Sequence, residues 1–231
     1  MIKWPCQAPE LEAHRFAAAN TTLPVPRLYK AHRWHGRLAI EMEYIDGCCT
    51  LQSCWRKMSD DQKRTIVDEF SGYYQQMRAA EPPDHVKVSS TDGGPCRDIR
   101  IGTVKLCGPF DDSAAFHQCL RGGVPIERCS STFGSEVGIV HERSYGIRFT
   151  HGDLGVQNIL IKNGRIAAII DWECGGWYPE YWEYTKAHYN MVLLPEFYAM
   201  LREKIDRYDM ELKAERTLWR IFDQPLDHLD I

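Results

Sequence analysis

Four polar residues in the second half of the chain have types and spacing suited to a reaction centre: His151, Asp153, Asn158 and Asp171. Asn163-Gly164 separates two runs rich in isoleucine, and that dipeptide is the strongest short signal for a two-residue hairpin turn. With those two residues as the loop, Lys162 faces Arg165, and the same register places Asp171 opposite Val156. Asn158 then lies on the face of Val156 as a diagonal neighbour of Asp171, at a Cβ separation of about 7–8 Å. Two short oxygen-bearing side chains at that separation can converge on one Mg²⁺, whose oxygen ligands sit at about 2.1 Å. Asp153, in the turn leading into the strand, is placed to accept the proton of a hydroxyl attacking a metal-bound phosphate. His151 is suited to orienting that turn. The plainer reading is a polar turn beside a solvated strand end, but spacing and hairpin geometry together favour the reactive one.

Such a hairpin needs a scaffold, and the rest of the chain supplies the pattern of one. The apolar start, Met1-Ile2-Lys3-Trp4, reads as a strand in progress. Pro9 with Glu10 and Glu12 marks a helix start, with acids where the helix dipole favours them, running through Ala19. Leu28 to Arg33 and Arg37 to Ile45 read as a hairpin turning at Trp34-His35-Gly36. Helices are expected over Leu51–Lys57 and Asp60–Ala80, the second with Ile66, Phe70, Tyr73, Tyr74 and Met77 at helical spacing. Residues 84–110 are turn-rich and read as an irregular insertion. Further helices are expected over Asp112–Arg121, between about 126 and 143, and between Glu180 and Phe222. Strands first and helices later give an α+β chain with a small sheet-bearing part before a mainly helical one.

Composition narrows the function. The chain has 231 residues, 28 basic against 32 acidic, and a net charge of −4. No basic block stands out, so a protein that neutralises nucleic-acid phosphates is disfavoured. No stretch approaches the roughly 20 apolar residues of a membrane span, and the N-terminus has no apolar signal core. The nine cysteines contain no C-x-x-C and read as small core hydrophobes in a reducing compartment, which points to a cytoplasmic protein.

The 151–173 block resembles a known family. His151-x-Asp153-x-x-x-x-Asn158, followed by Ile169-Ile170-Asp171-Trp172-Glu173, is similar to the aminoglycoside phosphotransferase and choline kinase-like branch of the protein-kinase-like fold. Gly175-Gly176-Trp177-Tyr178-Pro179 and Trp182-Glu183-Tyr184 continue the likeness, as in many fungal members. Upstream, Pro24-Val25-Pro26 and Met42-Glu43-Tyr44-Ile45-Asp46-Gly47 look like the family's approach to its hinge. The resemblance implies a two-lobe fold: a truncated N-terminal sheet lobe with the hinge (residues 1–46) and a mainly helical C-terminal lobe (47–231) carrying the 84–110 insertion. It also implies roles. Asp153 would be the catalytic base, assisted by His151, with Asn158 and Asp171 as Mg²⁺ ligands. Lys3 would clamp the ATP phosphates with Glu12 as its ion-pair partner, and the main chain from Glu43 to Ile45 would meet the adenine. The activity implied is ATP- and Mg²⁺-dependent phosphoryl transfer to a hydroxyl of a small-molecule substrate, a reaction run mainly by positioning and charge neutralisation.

One departure stands beside the likeness. The sequence holds no G-x-G-x-x-G and no G-x-x-x-x-G-K-[ST], so the phosphate-covering glycine loop has no counterpart. A non-catalytic kinase-like binding protein, or a truncated gene product, is therefore the alternative reading. A metal-dependent hydrolase using His151 and Asp153 lacks the further ligands such sites need. The aromatic residues Trp177, Tyr178, Tyr181 and Trp182 read as packing rather than a stacking platform. Of Glu173, Glu180 and Glu183, at least two read as solvated or structurally paired. Nothing in the sequence sets the oligomeric state.

Overall fold

The N-terminal strand is short and largely exposed, burying only its last residue, Cys6. In the computed structural model, which describes residues 1–84, 87–102, 104–188 and 193–228, this strand is β1 (Ile2–Cys6). It is followed by α1 (Ala8–Asn20), β2 (Leu28–Trp34) and β3 (Arg37–Met42). β2 and β3 form the expected hairpin, and β1 adds to the far side of β3 to give an antiparallel sheet ordered β1-β3-β2. α1 carries Pro9 in its first turn and buries Glu10, Ala13, His14 and Ala17 on one face. Ala13 on that face lets the helix lie close against Gly175, which ends the 3₁₀ turn Trp172–Cys174.

A second antiparallel sheet holds the candidate hairpin. β4 (Cys49–Thr50) pairs with β7 (Ile159–Lys162), which pairs with β8 (Arg165–Ile169). α2 (Leu51–Cys54) grows out of β4, capped by the Thr50 hydroxyl on the Ser53 N–H, and runs on as the 3₁₀ turn Trp55–Lys57. α3 (Asp60–Ala79) opens with a reciprocal capping box between Ser59 and Gln62 and buries Ile66, Phe70, Tyr74 and Met77. The 84–110 segment is irregular as expected. Its regular structure among the described residues is β5 (Ser89–Ser90) and two isolated bridges, Val88 to Phe110 and Cys96 to Cys107.

α4 (Ser113–Leu120) follows, and the expected single helix over 126–143 is two, α5 (Ile126–Phe133) and α6 (Ser135–His141). The break is Gly134, whose φ of 100° no continuing helix accommodates. β6 (Ile147–Thr150) and β9 (Gly176–Pro179) join β5 in a third sheet ordered β5-β9-β6. α7 (Trp182–Ala187), α8 (Pro195–Leu201) and α9 (Asp209–Ile221) complete the described helices. One core gathers α3, α8 and the β7–β8 hairpin around Trp55, Trp172 and Trp177. A second gathers α4–α6 and α9 around Tyr178, Tyr181 and Trp182. Those aromatic side chains are at most 1% exposed, so they pack and offer no stacking face. Among the described residues no helix is long and apolar enough to cross a membrane.

The hairpin register departs from the expected one. Lys162 faces Arg165 and Ile161 faces Ile166, but beyond them Leu160 faces Ala168 and Ile159 faces Ile169. A β-bulge at this point inserts one extra residue on β8, which shifts every later pair by one position. Asp171 therefore does not lie opposite Val156. The Ile170 N–H donates to the Asn158 carbonyl at 3.0 Å, and Asp171 is the next residue along.

Candidate active site

The turn between β6 and β7 is built by hydrogen bonds to its own backbone. The Gly155 N–H donates to the Asp153 carbonyl at 2.7 Å, and the Asn158 N–H to the Gly155 carbonyl at 2.9 Å. Asn158 Nδ2 donates both to the Asp153 carbonyl at 2.8 Å and to Asp153 Oδ2 at 2.9 Å. The Asn158 amide oxygen is thus turned away from Asp153 by its own amide group. Gly152 sits at φ 76°, where an added Cβ would lie 2.5 Å from the Cys174 carbonyl, so only glycine fits between the two passing chains.

His151 is fully buried. Its Nδ1 accepts the Asp153 N–H at 3.2 Å, and its Nε2–H faces the Ile170 carbonyl at 3.0 Å. Burial pushes the imidazole down to about 4, against the pull of the Ile170 carbonyl and Asp171. A neutral ring with both nitrogens engaged ties the Asp153 turn to the strand carrying Asp171. That is an orienting arrangement, with no proton in play at neutral pH.

Asp171 closes the hairpin in the left-handed region, at φ 66° and ψ 63°. Aspartate is among the few non-glycine residues that visit this region, and such backbone is a feature of functional sites. The kink aims the carboxylate at Lys3, whose Nζ lies 2.8 Å from Asp171 Oδ1 and 2.6 Å from Glu10 Oε1. Burial by itself would lower the Lys3 pKa, but Glu10 and Asp171 outweigh it and raise it, so the ammonium stays charged.

The ion-pair partner of Lys3 is therefore Glu10 and not Glu12. Glu10 shares the buried face of α1 with Ala13 and Ala17, whereas Glu12 points outward and pairs with Arg15 at 2.8 Å. Glu43 also differs in part from expectation. Its N–H donates to the Arg27 carbonyl at 2.8 Å and its carboxylate accepts the Arg27 N–H at 3.2 Å, so its main chain offers a ligand only the carbonyl. Ile45 lies beyond β3, in the segment leading to Gly47.

Asp153 has an unusual environment for a carboxylate. Burial pushes it up to about 6, while Lys186 and the Asn158 hydrogen bond pull the other way. Such a value suits a group that takes a proton near neutral pH. Lys3, Asp153, Asn158 and Asp171 thus meet at one place, between the N-terminal sheet and the β7–β8 hairpin.

The phosphotransferase enzyme family model (APH) matches residues 142–216, which contain the whole constellation except Lys3 and Glu10. Among solved structures, aminoglycoside phosphotransferase APH(4)-Ia superposes with a TM-score of 0.64 at 15% identity, covering 92% of this chain and 73% of that one. Its ternary complex with ADP and hygromycin B gives 0.59 at 14% identity, covering 94% and 74%. The gentamicin complex of APH(2″)-IIa gives 0.53 at 16% identity, covering 91% and 68%. No curated protein matches the chain. This chain has the kinase-like fold of the aminoglycoside phosphotransferases.

Within that aminoglycoside phosphotransferase-like fold, two supports of the site were not read from the sequence. Glu183, on α7, accepts the backbone N–H groups of His151 and Gly152 and so fixes the turn before Asp153. Burial pushes its carboxyl up to about 7, partly offset by those two N–H donors. Its place in Trp182-Glu183-Tyr184, beside the family's other motifs, was the available signal. Asp98, in the irregular insertion, accepts Lys186 Nζ and Trp182 Nε1, each at 2.8 Å. This pair brings the Lys186 charge toward Asp153, and no local pattern in sequence links two residues so far apart. Glu173 is paired as well, with Arg97 at 3.4 Å.

Proposed function

We propose that the chain is an ATP- and Mg²⁺-dependent phosphotransferase that phosphorylates a hydroxyl of a small molecule. The observation that carries this reading is the meeting of Asp153, Asn158 and Asp171 beside the Lys3–Glu10 ion pair. The donor set fits Mg²⁺: the Asn158 amide oxygen and the partly exposed Asp171 carboxylate are hard oxygen donors. Mg²⁺ is ordinarily held by one or two carboxylates together with phosphate oxygens and water. Bound there, the ion would neutralise charge on the phosphates of ATP.

The remaining work falls to the chain's own groups. Lys3, kept charged by Glu10, pairs with the phosphates, and the Glu43 carbonyl and Ile45 main chain meet the adenine edge. Asp153 accepts the hydroxyl proton of the acceptor, while His151, Asn158 and Glu183 hold it in line. A positioned base contributes about 10²–10⁴ in rate. Titration calorimetry with Mg-ATP tests the assignment: binding by the wild type and much weaker binding by Asp171→Ala are expected. Equal heats in both would refute the metal site.

A second reading, a non-catalytic kinase-like binding protein, draws on the Lys3–Asp171 contact of 2.8 Å, which engages the phosphate clamp with a carboxylate. It predicts no ATP turnover, and turnover that disappears in Asp153→Ala would reject it.

A further inference from the structure

Among the nine cysteines, two pairs lie near enough that each thiol acts on its partner. Cys96 and Cys107 face each other across an isolated bridge and are 0% and 4% exposed. Cys49 and Cys54 are both half-buried, and Cys54 Sγ turns to the carbonyl of Thr50, the residue next to Cys49. These two line a cleft of about 240 Å³, open to solvent, together with Lys57 and Lys162. Thiol chemistry requires access and a way to stabilise thiolate, so the two pairs are not equivalent.

The local backbone holds the second pair in place. Cys49 opens β4 opposite Ile161, with its Sγ 3.7 Å from the Ile161 carbonyl. Cys54 closes α2 and turns its Sγ back to the Thr50 carbonyl at 3.1 Å. The start of the strand and the end of the helix are thereby drawn together at Thr50, and both cysteines reach the same cleft.

We infer that Cys49 and Cys54 form a redox site, closing to a disulfide by exchange with a small-molecule disulfide. The Cys49 thiolate attacks one sulfur of the oxidant, whose S–S bond breaks and releases the first thiolate. Cys54 then gives up its proton and attacks the Cys49 sulfur in the mixed disulfide, and the second thiolate leaves. The two protein thiols lose two electrons, and the oxidant is reduced to two thiols. Burial and the neighbouring Cys49 push the Cys54 thiol up to about 12, while Lys57 opposes them. This order of events, with Cys49 attacking first, follows from a Cys54 that keeps its proton.

The site adjoins the catalytic turn. The Gln52 N–H, between the two cysteines, donates to the Val156 carbonyl at 3.2 Å, and β4 pairs with β7 directly after Asn158. A disulfide here closes the short loop from which that hydrogen bond reaches the turn.

The test uses the folded chain and oxidised glutathione. After incubation, free thiols are alkylated in denaturant, the sample is reduced, a second label of different mass is added, and cysteines are mapped by peptide mass. The second label is expected on Cys49 and Cys54 together, with the intact mass lower by two hydrogens. In Cys54→Ser a glutathione adduct is expected to accumulate on Cys49, and in Cys49→Ser none on Cys54, with folding checked by circular dichroism. Wild-type mapping decides the matter should either variant fail to fold. Glutathione left on Cys49 in the wild type, no reaction at either cysteine, or preferential oxidation of Cys96 and Cys107 would overturn the inference.

Discussion

Asp153 concentrates the residue-scale physics of this site. Burial raises its pKa from 3.8 to about 6, so in the folded chain it binds a proton more readily than when unfolded. Its contribution to stability is fully present below the unfolded value and is lost as pH rises through about 6. The proposed role needs the opposite form, since a base must be ionised. The kcat/KM of the free enzyme is therefore expected to rise with pH through about 6 and then level off, as a pH–rate profile would show. Asp153→Asn should lower turnover by about 10²–10⁴. Its melting temperature relative to wild type should climb between pH 4 and pH 7, because the amide has no charge to bury; scanning fluorimetry at the two ends of that range checks this. A flat difference would show that Asp153 is better hydrated than its surroundings imply. The spacing of Asp153 and Asn158 was readable because both lie in one short turn. The Lys186 charge that moderates Asp153 was not, since it arrives from α7 through a partner in the insertion.

At the scale of elements, α1 shows how a face and not a position selects the working residue. Read from the sequence, with the helix starting at Pro9, both Glu10 and Glu12 stand as first-turn acids; in the structure α1 starts at Ala8 and only Glu10 is in its first turn. The separation comes from Ala13 and Ala17, which share a helical face with Glu10 and pack it inward. Glu10→Gln is expected to weaken Mg-ATP binding about tenfold, the scale of one charged hydrogen bond. Glu12→Gln should leave it unchanged, and calorimetry on the two variants tells them apart. The same helix depends on Gly175, where an added Cβ would stand 2.5 Å from the Ala13 Cβ. Gly175→Ala must push α1 outward, costing about 1–3 kcal/mol and drawing Glu10 away from Lys3. Adding Ala13→Gly should restore nucleotide affinity while keeping the helix penalty of glycine, about 1 kcal/mol, in the unfolding curve. The β8 bulge was hidden for a different reason. The Asn163-Gly164 turn fixes the pairs beside it, and nothing in a run of isoleucine and alanine marks where an extra residue enters.

At the scale of the whole molecule, the order of elements could be read in advance because each follows from local periodicity and capping. What braces the helical half could not, because its polar contacts join distant segments. Arg100, in the insertion, is fully buried and lies 3.3 Å from Glu215 of α9, which is also fully buried. Burial alone would raise the Glu215 carboxyl, but Arg100 and the hydrogen-bonded His141 outweigh it and hold it below the usual range. The pair clamps the insertion that carries Asp98 onto the second core, so it acts on the turn that holds Asp153 at one remove. Removing one partner leaves the other as an uncompensated buried charge, at about 3–5 kcal/mol. Arg100→Met and Glu215→Leu should each lower the unfolding free energy obtained from urea titration by that much, and the double variant should recover most of the loss. Two small additive losses would mean that the charges are solvated and the insertion is held by its apolar contacts. A recovered double variant that also regains Mg-ATP turnover would show that the clamp serves through position. Stability regained without turnover would show that the charge itself is needed at the neighbouring Asp98–Lys186 pair.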